Sequence, residues 1–289
     1  MPLPRGLPVV DHHCHLSPTG EGVAAVRRFR SAGGTHLFLT TQNYEPTVPR
    51  SLEDYVRQYE TTERLAKQIM DETGVEVYSV IAPYPVDLIG AGEALGLPVA
   101  LELHRAALDL AGTWVREHRA VALGEVGRAH FPVPAEVAES IDEAFRHAFE
   151  VARDVGCPLV VHSADLDSNG FRELSERARE VGLPPERVVK HFARSRLPPG
   201  ERSGIVPSYL ARRELVRQVQ DDPGPWFFET DFLDDPARPG AVLDLATVPR
   251  RALAVSSEPG GADRLFVPFV ESIEKVYGWR PEVRDGGGS

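Results

Sequence analysis

The sequence predicts a single α/β domain folded as a (β/α)8 TIM barrel, and three observations predict it. Eight short apolar runs recur along the 289 residues, and amphipathic helical patterns fill most of the gaps between them. Strands that alternate with helices form a parallel sheet, and eight such units close it into a ring. No composition break or interdomain linker divides the chain, whose 42% of hydrophobic residues can bury one large core.

The first strand is expected from Val9 to His15, an apolar start that delivers Asp11, His13 and His15 at every second position. Strands two and three, His36 to Thr41 and Val75 to Ala82, flank the segment Leu52 to Glu72. That segment carries Leu52, Tyr55, Val56, Tyr59, Leu65 and Ile69 at helical spacing. The glycine-rich piece Val86 to Leu97 reads as a loop or short excursion before the third helix. Strand four spans Val121 to Val126, and Val137 to Val155 repeats the helical pattern with Ile141, Phe145, Ala148 and Val151. Strands five and six are Pro158 to Ser163 and Val188 to Phe192, and the connection Arg194 to Ser203 is too short for a full helix. Strand seven, Gly204 to Pro207, is the poorest in sheet-forming residues, and its proline suits a strand end. Strand eight is Trp226 to Asp231, and Gly260-Gly261 marks a turn before the last helix. The barrel is assigned to residues 1–285, and Gly286 to Ser289 reads as a linker or disordered tail beyond it.

Composition narrows the functional classes. No run of eighteen apolar residues offers a membrane span, and Met1 to Gly6 has no long apolar core of a secretory signal. Cys14 and Cys157 fall in apparent buried strands and read as reduced core thiols, which fits a cytoplasmic protein. The formal net charge of -11 argues against broad binding of a phosphate backbone, which needs a basic surface. It leaves room for a local basic cleft. No G-x-x-x-x-G-K-[ST] phosphate loop occurs.

Barrel enzymes carry their reacting groups at the C-terminal ends of strands. His13 and His15 end strand one, Glu125 strand four, His162 strand five, His191 strand six and Asp231 strand eight. A lone strand histidine or carboxylate is usually a hydrogen-bonded core group. Six ligand-type side chains at equivalent heights are hard to obtain from packing, because buried carboxylates without partners are costly. They are too many for one tetrahedral site with an open position, and they suit two divalent ions that share one carboxylate. Glu125 is the natural bridge, with His13, His15 and Asp231 on one side and His162 and His191 on the other. Ions held there ionise water near neutral pH, and Asp231 is placed to accept its proton. Glu125 and Asp231 are thus the candidate catalytic residues. The donor set accepts Zn, Mn, Mg, Fe or Ni, as one ion or two.

Other polar residues receive plainer roles. Asp11 lies deeper than the ligands and reads as a hydrogen-bonded partner or core group, as does Glu229 beneath Asp231. His12 and Cys14 have the opposite parity and should face the helices. His130, just past strand four, is a candidate substrate contact. His104, His118 and His147 fall on predicted helices as surface or packing residues, and His36 reads as structural. Thr40 to Asn43 ends strand two, where it can line the pocket mouth.

Asp11-His12-His13-Cys14-His15-Leu16 resembles the opening motif of the TatD-related deoxyribonucleases of the amidohydrolase superfamily. Gly124-Glu125-Val126-Gly127 is similar to that family's strand-four motif, and Glu229-Thr230-Asp231 to its strand-eight motif. Pro158 to Ser163 and the His191 segment fall in order between them. The resemblance spans about Val9 to Tyr277. It implies a barrel holding one or two divalent metals on His13, His15, Glu125, His162, His191 and Asp231, and hydrolysis of phosphodiesters, typically DNA. Phosphotriesterase-like enzymes place a carboxylated lysine on strand four, so Glu125 favours the TatD-like branch.

The chain departs from the family pattern in two places. Ser163-Ala164-Asp165 stands where an arginine usually follows the strand-five histidine, and Phe192-Ala193-Arg194-Ser195 replaces phenylalanine-serine-glycine. The resemblance implies that these segments hold substrate phosphate, and Arg128, Arg194 or Arg196 are candidates to take over that contact. The expected substrate is a small nucleotide or a single-stranded DNA end, with no membrane and no obligate protein partner. The alternatives are hydrolysis of a lactone, amide or other carboxylic ester, or a non-catalytic, metal-stabilised binding protein.

Overall fold

β1 (Val10–His15), β2 (His36–Thr40) and β3 (Glu76–Ile81) open a parallel sheet. It continues through β4 (Ala122–Gly127), β5 (Leu159–His162), β6 (Val188–Ala193), β7 (Val206–Leu210) and β8 (Phe227–Glu229). Every residue of β1, β2 and β4 is buried, as in strands covered on both faces. A ninth short strand, β9 (Phe232–Leu233), pairs with the free side of β1. β8 and β9 are two halves of one broken strand: the first pairs with β7 and the second with β1. In the break, Asp231 donates its N–H to the His13 carbonyl at 2.9 Å. The ring therefore closes, giving the expected TIM barrel. This computed structural model describes residues 6–282. The tail from Gly286, and the N-terminal segment up to Arg5, lie outside the described residues.

The helices α2 (Leu52–Thr73) and α5 (Ala135–Val155) form where the spacing predicts. They bury Tyr55, Tyr59, Leu65 and Ile69, and Ile141, Phe145, Ala148 and Val151. Ser51 and Asp54 cap α2 reciprocally, and Gly74 ends it in the left-handed conformation. The remaining helices include α1 (Val23–Ser31), α4 (Leu97–Arg116), α6 (Ser168–Val181) and α7 (Arg213–Val219). Between β6 and β7 there is only a 3-10 turn, Pro199–Glu201, as the short connection predicts. Among the described residues no helix is long and apolar enough to cross a membrane.

Four local expectations are corrected. The piece read as a loop or short excursion contains a nine-residue helix, α3 (Asp87–Leu95), in which glycine provides close packing. A Cβ on Gly92 would come within 2.7 Å of Leu97, and one on Gly90 within 3.0 Å of Val48. β7 runs past Pro207 to Leu210, because Ser208, Tyr209 and Leu210 pair along β8. His118 lies beyond the end of α4, with φ 59°, in the turn towards β4.

His12 is the fourth. It reaches one helix residue, Tyr277, but otherwise packs against neighbouring strands. Its ring stacks on Phe227 at 3.9 Å, lies 4.7 Å from Phe38, and its Nε2 is 2.8 Å from the Tyr277 hydroxyl. The pairing of β1 with β2 shifts register between Asp11 and Cys14, and this irregularity breaks simple alternation. Asp11 is a buried hydrogen-bonded group as expected, and Cys14 packs outward with Phe29 and Leu65, also as expected. Both cysteines are free and buried.

His104 of α4 shares a small apolar cavity with Leu88, Val126 and Phe145, and burial pushes its pKa down to about 3. The folded protein thus refuses a proton that the unfolded chain accepts below the ordinary value of 6.5. Stability is lost as pH falls from 6.5 towards 3, by up to about 1.4 kcal/mol per pH unit. In urea titrations, His104→Leu is expected to flatten this acid limb. Between roughly pH 7 and pH 5 the wild type should lose about 2 kcal/mol more than the variant. Equal losses would show that His104 accepts protons while folded.

Candidate metal centre

The ends of five strands bring all six predicted side chains to one mouth of the ring. His13 Nε2 lies 3.2 Å from His15 Nε2 and 2.8 Å from Glu125 Oε1. Asp231 Oδ1 lies 3.6 Å from His15 Nε2 and 3.8 Å from His13 Nε2. On the other side of Glu125, His191 Nε2 is 2.8 Å from Oε1, and His162 Nδ1 is 3.6 Å from Oε2. The two imidazoles of that side approach to 3.2 Å. Glu125 thus belongs to two donor groups at once.

Local sequence fixes these directions. Gly127 has φ 140°, and a Cβ there would sit 2.0 Å from the His162 carbonyl oxygen. Only glycine lets β4 run this close to β5 beside Glu125. Asp231 and Phe192 adopt left-handed backbone, φ 46° and φ 57°, which costs a non-glycine residue on the order of 1–3 kcal/mol. The break between β8 and β9 holds Asp231 in that turn. Asp11 supports it from behind: its carboxylate accepts from the Thr230 N–H at 3.0 Å and the Thr230 hydroxyl at 2.6 Å. It also accepts from the His13 N–H at 3.2 Å, so one buried acid ties β1 to the break. Glu229 Oε1 accepts from the Phe192 N–H at 2.6 Å and lies 3.6 Å from His191 Nδ1.

The donor atoms suit a divalent cation. His15 Nδ1 can only donate to the Thr40 carbonyl, at 3.2 Å, which leaves Nε2 as a lone pair aimed at the centre. Metal–nitrogen bonds of about 2.0–2.1 Å in a tetrahedron put ligand atoms about 3.4 Å apart. Several of the separations above bracket that edge. Burial alone would raise the Glu125 pKa, but the imidazoles of His191 and His162 hold it well below the ordinary range. Burial raises Asp231 above its ordinary value.

A cleft of about 600 Å³ opens over this centre. Gln42 and Asn43 line it, in keeping with the mouth position predicted for the end of strand two. His130 also lines it, with Nδ1 3.0 Å from His162 Nε2. Arg194 lines it with its guanidinium 5.6 Å over the Phe192 ring. The other two arginines are corrected. Arg128 turns away to pair with Asp142 of α5 and Glu173 of α6, at 2.8 and 2.7 Å. Arg196 pairs with buried Asp222 at 2.6 Å, which also holds Arg202.

Sequence reasoning missed Tyr84, Asp87, Lys190 and Arg238. Tyr84 places its hydroxyl 3.2 Å from His162 Nε2, and its signal was Pro83-Tyr84-Pro85 directly after the third apolar run. Lys190 is fully buried and donates to the carbonyls of Ser163 and His191, joining the ends of β5 and β6. Arg238 and Asp87 line the cleft from the segment after β9 and from α3.

Residues 10–260 match the family described as TatD related DNase. The chain belongs to the TatD-related DNase family. It is 33% identical over 283 residues to an uncharacterized protein of Methanocaldococcus jannaschii, covering 96% of this chain and 98% of that one. Its fold is similar to the TatD homologue YJJV of Escherichia coli, with TM-score 0.59 and 17% identity over 93% of this chain and 98% of that one. A mutant PTE-like lactonase from Deinococcus radiodurans is also similar, with TM-score 0.56 and 14% identity over 94% and 96% of the two chains. This TatD-related protein is a metal-dependent hydrolase with histidine, glutamate and aspartate groups able to hold an ion.

Proposed function

We propose that the protein is a cytoplasmic phosphodiesterase that cleaves single-stranded DNA ends or small nucleotides with one or two divalent ions. The observation that carries this reading is Glu125, shared by two donor groups at the barrel mouth. His13, His15, Glu125 and Asp231 would hold one ion, and Glu125, His162 and His191 a second. Ions bound there supply Lewis acidity and a water that ionises near neutral pH. The protein's own groups do the rest. Asp231 takes the proton of the attacking water. Arg194, on the wall of the cleft, attracts the phosphate, while Arg238 lines the same cleft paired with Asp235 at 2.7 Å. The walls of the cleft orient the ester above the carboxylates.

Purified protein supplied with Mg, Mn or Zn should shorten a single-stranded oligonucleotide. No cleavage with any of these ions rejects the phosphodiester reading. A second reading, hydrolysis of a lactone or other carboxylic ester, is favoured by one observation. Arg128 and Arg196 are committed to ion pairs, and Asp165 lines the cleft near where the family places an arginine. Assaying lactones beside phosphodiesters separates the two, since activity confined to phosphodiesters excludes the second.

A further inference from the structure

Among the described residues, two carboxylates of the cleft belong to neither the donor groups nor an ion pair; Asp165 accepts from the Arg194 N–H and the Ser195 hydroxyl, at 3.1 and 3.0 Å, whereas Asp87 has an oxygen without a partner. It opens α3, just past the end of β3, and is only 5% exposed. Its Oδ2 is buried without a hydrogen-bond partner, yet the residue lines the cleft over the metal centre. Burial raises its pKa to about 7, and no charged neighbour offsets that cost. A buried carboxyl group without a partner is expensive, and a ligand that donates a hydrogen bond removes the expense.

The remaining walls say what kind of ligand this is. Arg194, which forms no ion pair among the described residues, gives the cleft a group that attracts anions, and its volume of about 600 Å³ suits a molecule of nucleotide size. Tyr84 and Phe192 add aromatic surface. The cleft thus presents both a buried acid and a cationic group. We infer that Asp87 is a specificity residue that accepts a hydrogen bond from a nucleotide's O–H or N–H donor while the phosphate rests against the metal centre. The inference rests on the phosphodiester reading for the phosphate and adds the polar end of the ligand. Two donors share this chemistry, the sugar hydroxyl and the amino group of the base.

The test is calorimetric binding to manganese-loaded protein of three ligands: deoxyadenosine monophosphate, its dideoxy analogue, and the analogue lacking the amino group of the base. Wild type is expected to lose at least about tenfold in affinity when the relevant donor is removed. Loss with the dideoxy analogue assigns the sugar hydroxyl, and loss with the other assigns the base. Asp87→Leu should bind all three ligands alike, and its thermal midpoint should match or exceed wild type, because an unpaired buried acid has gone. Should the leucine variant fold poorly, Asp87→Asn keeps the shape and a neutral acceptor, and it should retain part of the preference. The inference is overturned if wild type binds the three equally or binds none, or if Asp87→Leu keeps the preference. If the preference stands while oligonucleotides remain uncut, the phosphodiester reading fails alone.

Discussion

Glu125→Gln is expected to cost the protein its divalent metal and at least about three orders of magnitude in kcat/KM. The argument is geometric. Glu125 Oε1 lies 2.8 Å from both His13 Nε2 and His191 Nε2, so one substitution touches both donor groups. Loss of a group merely supporting a metal ligand typically costs about 10–100-fold in affinity or activity. Loss of a carboxylate serving two sites should cost more. Glutamine preserves volume, so β4 and its contacts with β5 should persist. Metal analysis after dialysis, steady-state kinetics and circular dichroism together provide the check. A variant that folds normally, keeps its metal and stays within tenfold of wild type would remove Glu125 from the centre.

Asp231→Asn should lower kcat by about 10²–10⁴-fold, the range expected when a positioned acid–base group is lost. Asparagine cannot accept the proton, and it tolerates the left-handed backbone at φ 46° better than most residues. The Asp11–Thr230 hydrogen bonds that hold the turn remain, so KM should change far less than kcat. A loss confined to KM would assign Asp231 to substrate binding and take the proton from it.

Much of the centre was readable in sequence because strand position is a local property. His13 and His15 end an apolar run, Glu125 lies between two glycines, and His162 closes Pro158-Leu159-Val160-Val161. None needs knowledge of distant contacts. The failures are nonlocal. The register shift of β1 depends on its pairing with β2, so counting alternate residues misplaced His12, whereas Asp11 takes the hydrogen-bonded role expected of it. Arg128 and Arg196 were withdrawn from the cleft by acids on other elements, Asp142, Glu173 and Asp222. Asp87 was hidden because glycines read as breakers, whereas Gly90 and Gly92 let α3 pack closely. β9 is only two residues long and pairs with the start of the chain, so no periodic signal could reveal it.

The seam between β9 and β1 has a kinetic corollary. Five of the six candidate ligands sit on continuous strands, whereas Asp231 hangs at the joint where the cylinder is fastened by its shortest staves. Breathing at that joint would swing the proton acceptor away while the imidazoles stay put. Turnover should therefore fade under mild denaturant before the bulk of the secondary structure melts, making catalysis a sensitive gauge of whether the hoop is latched.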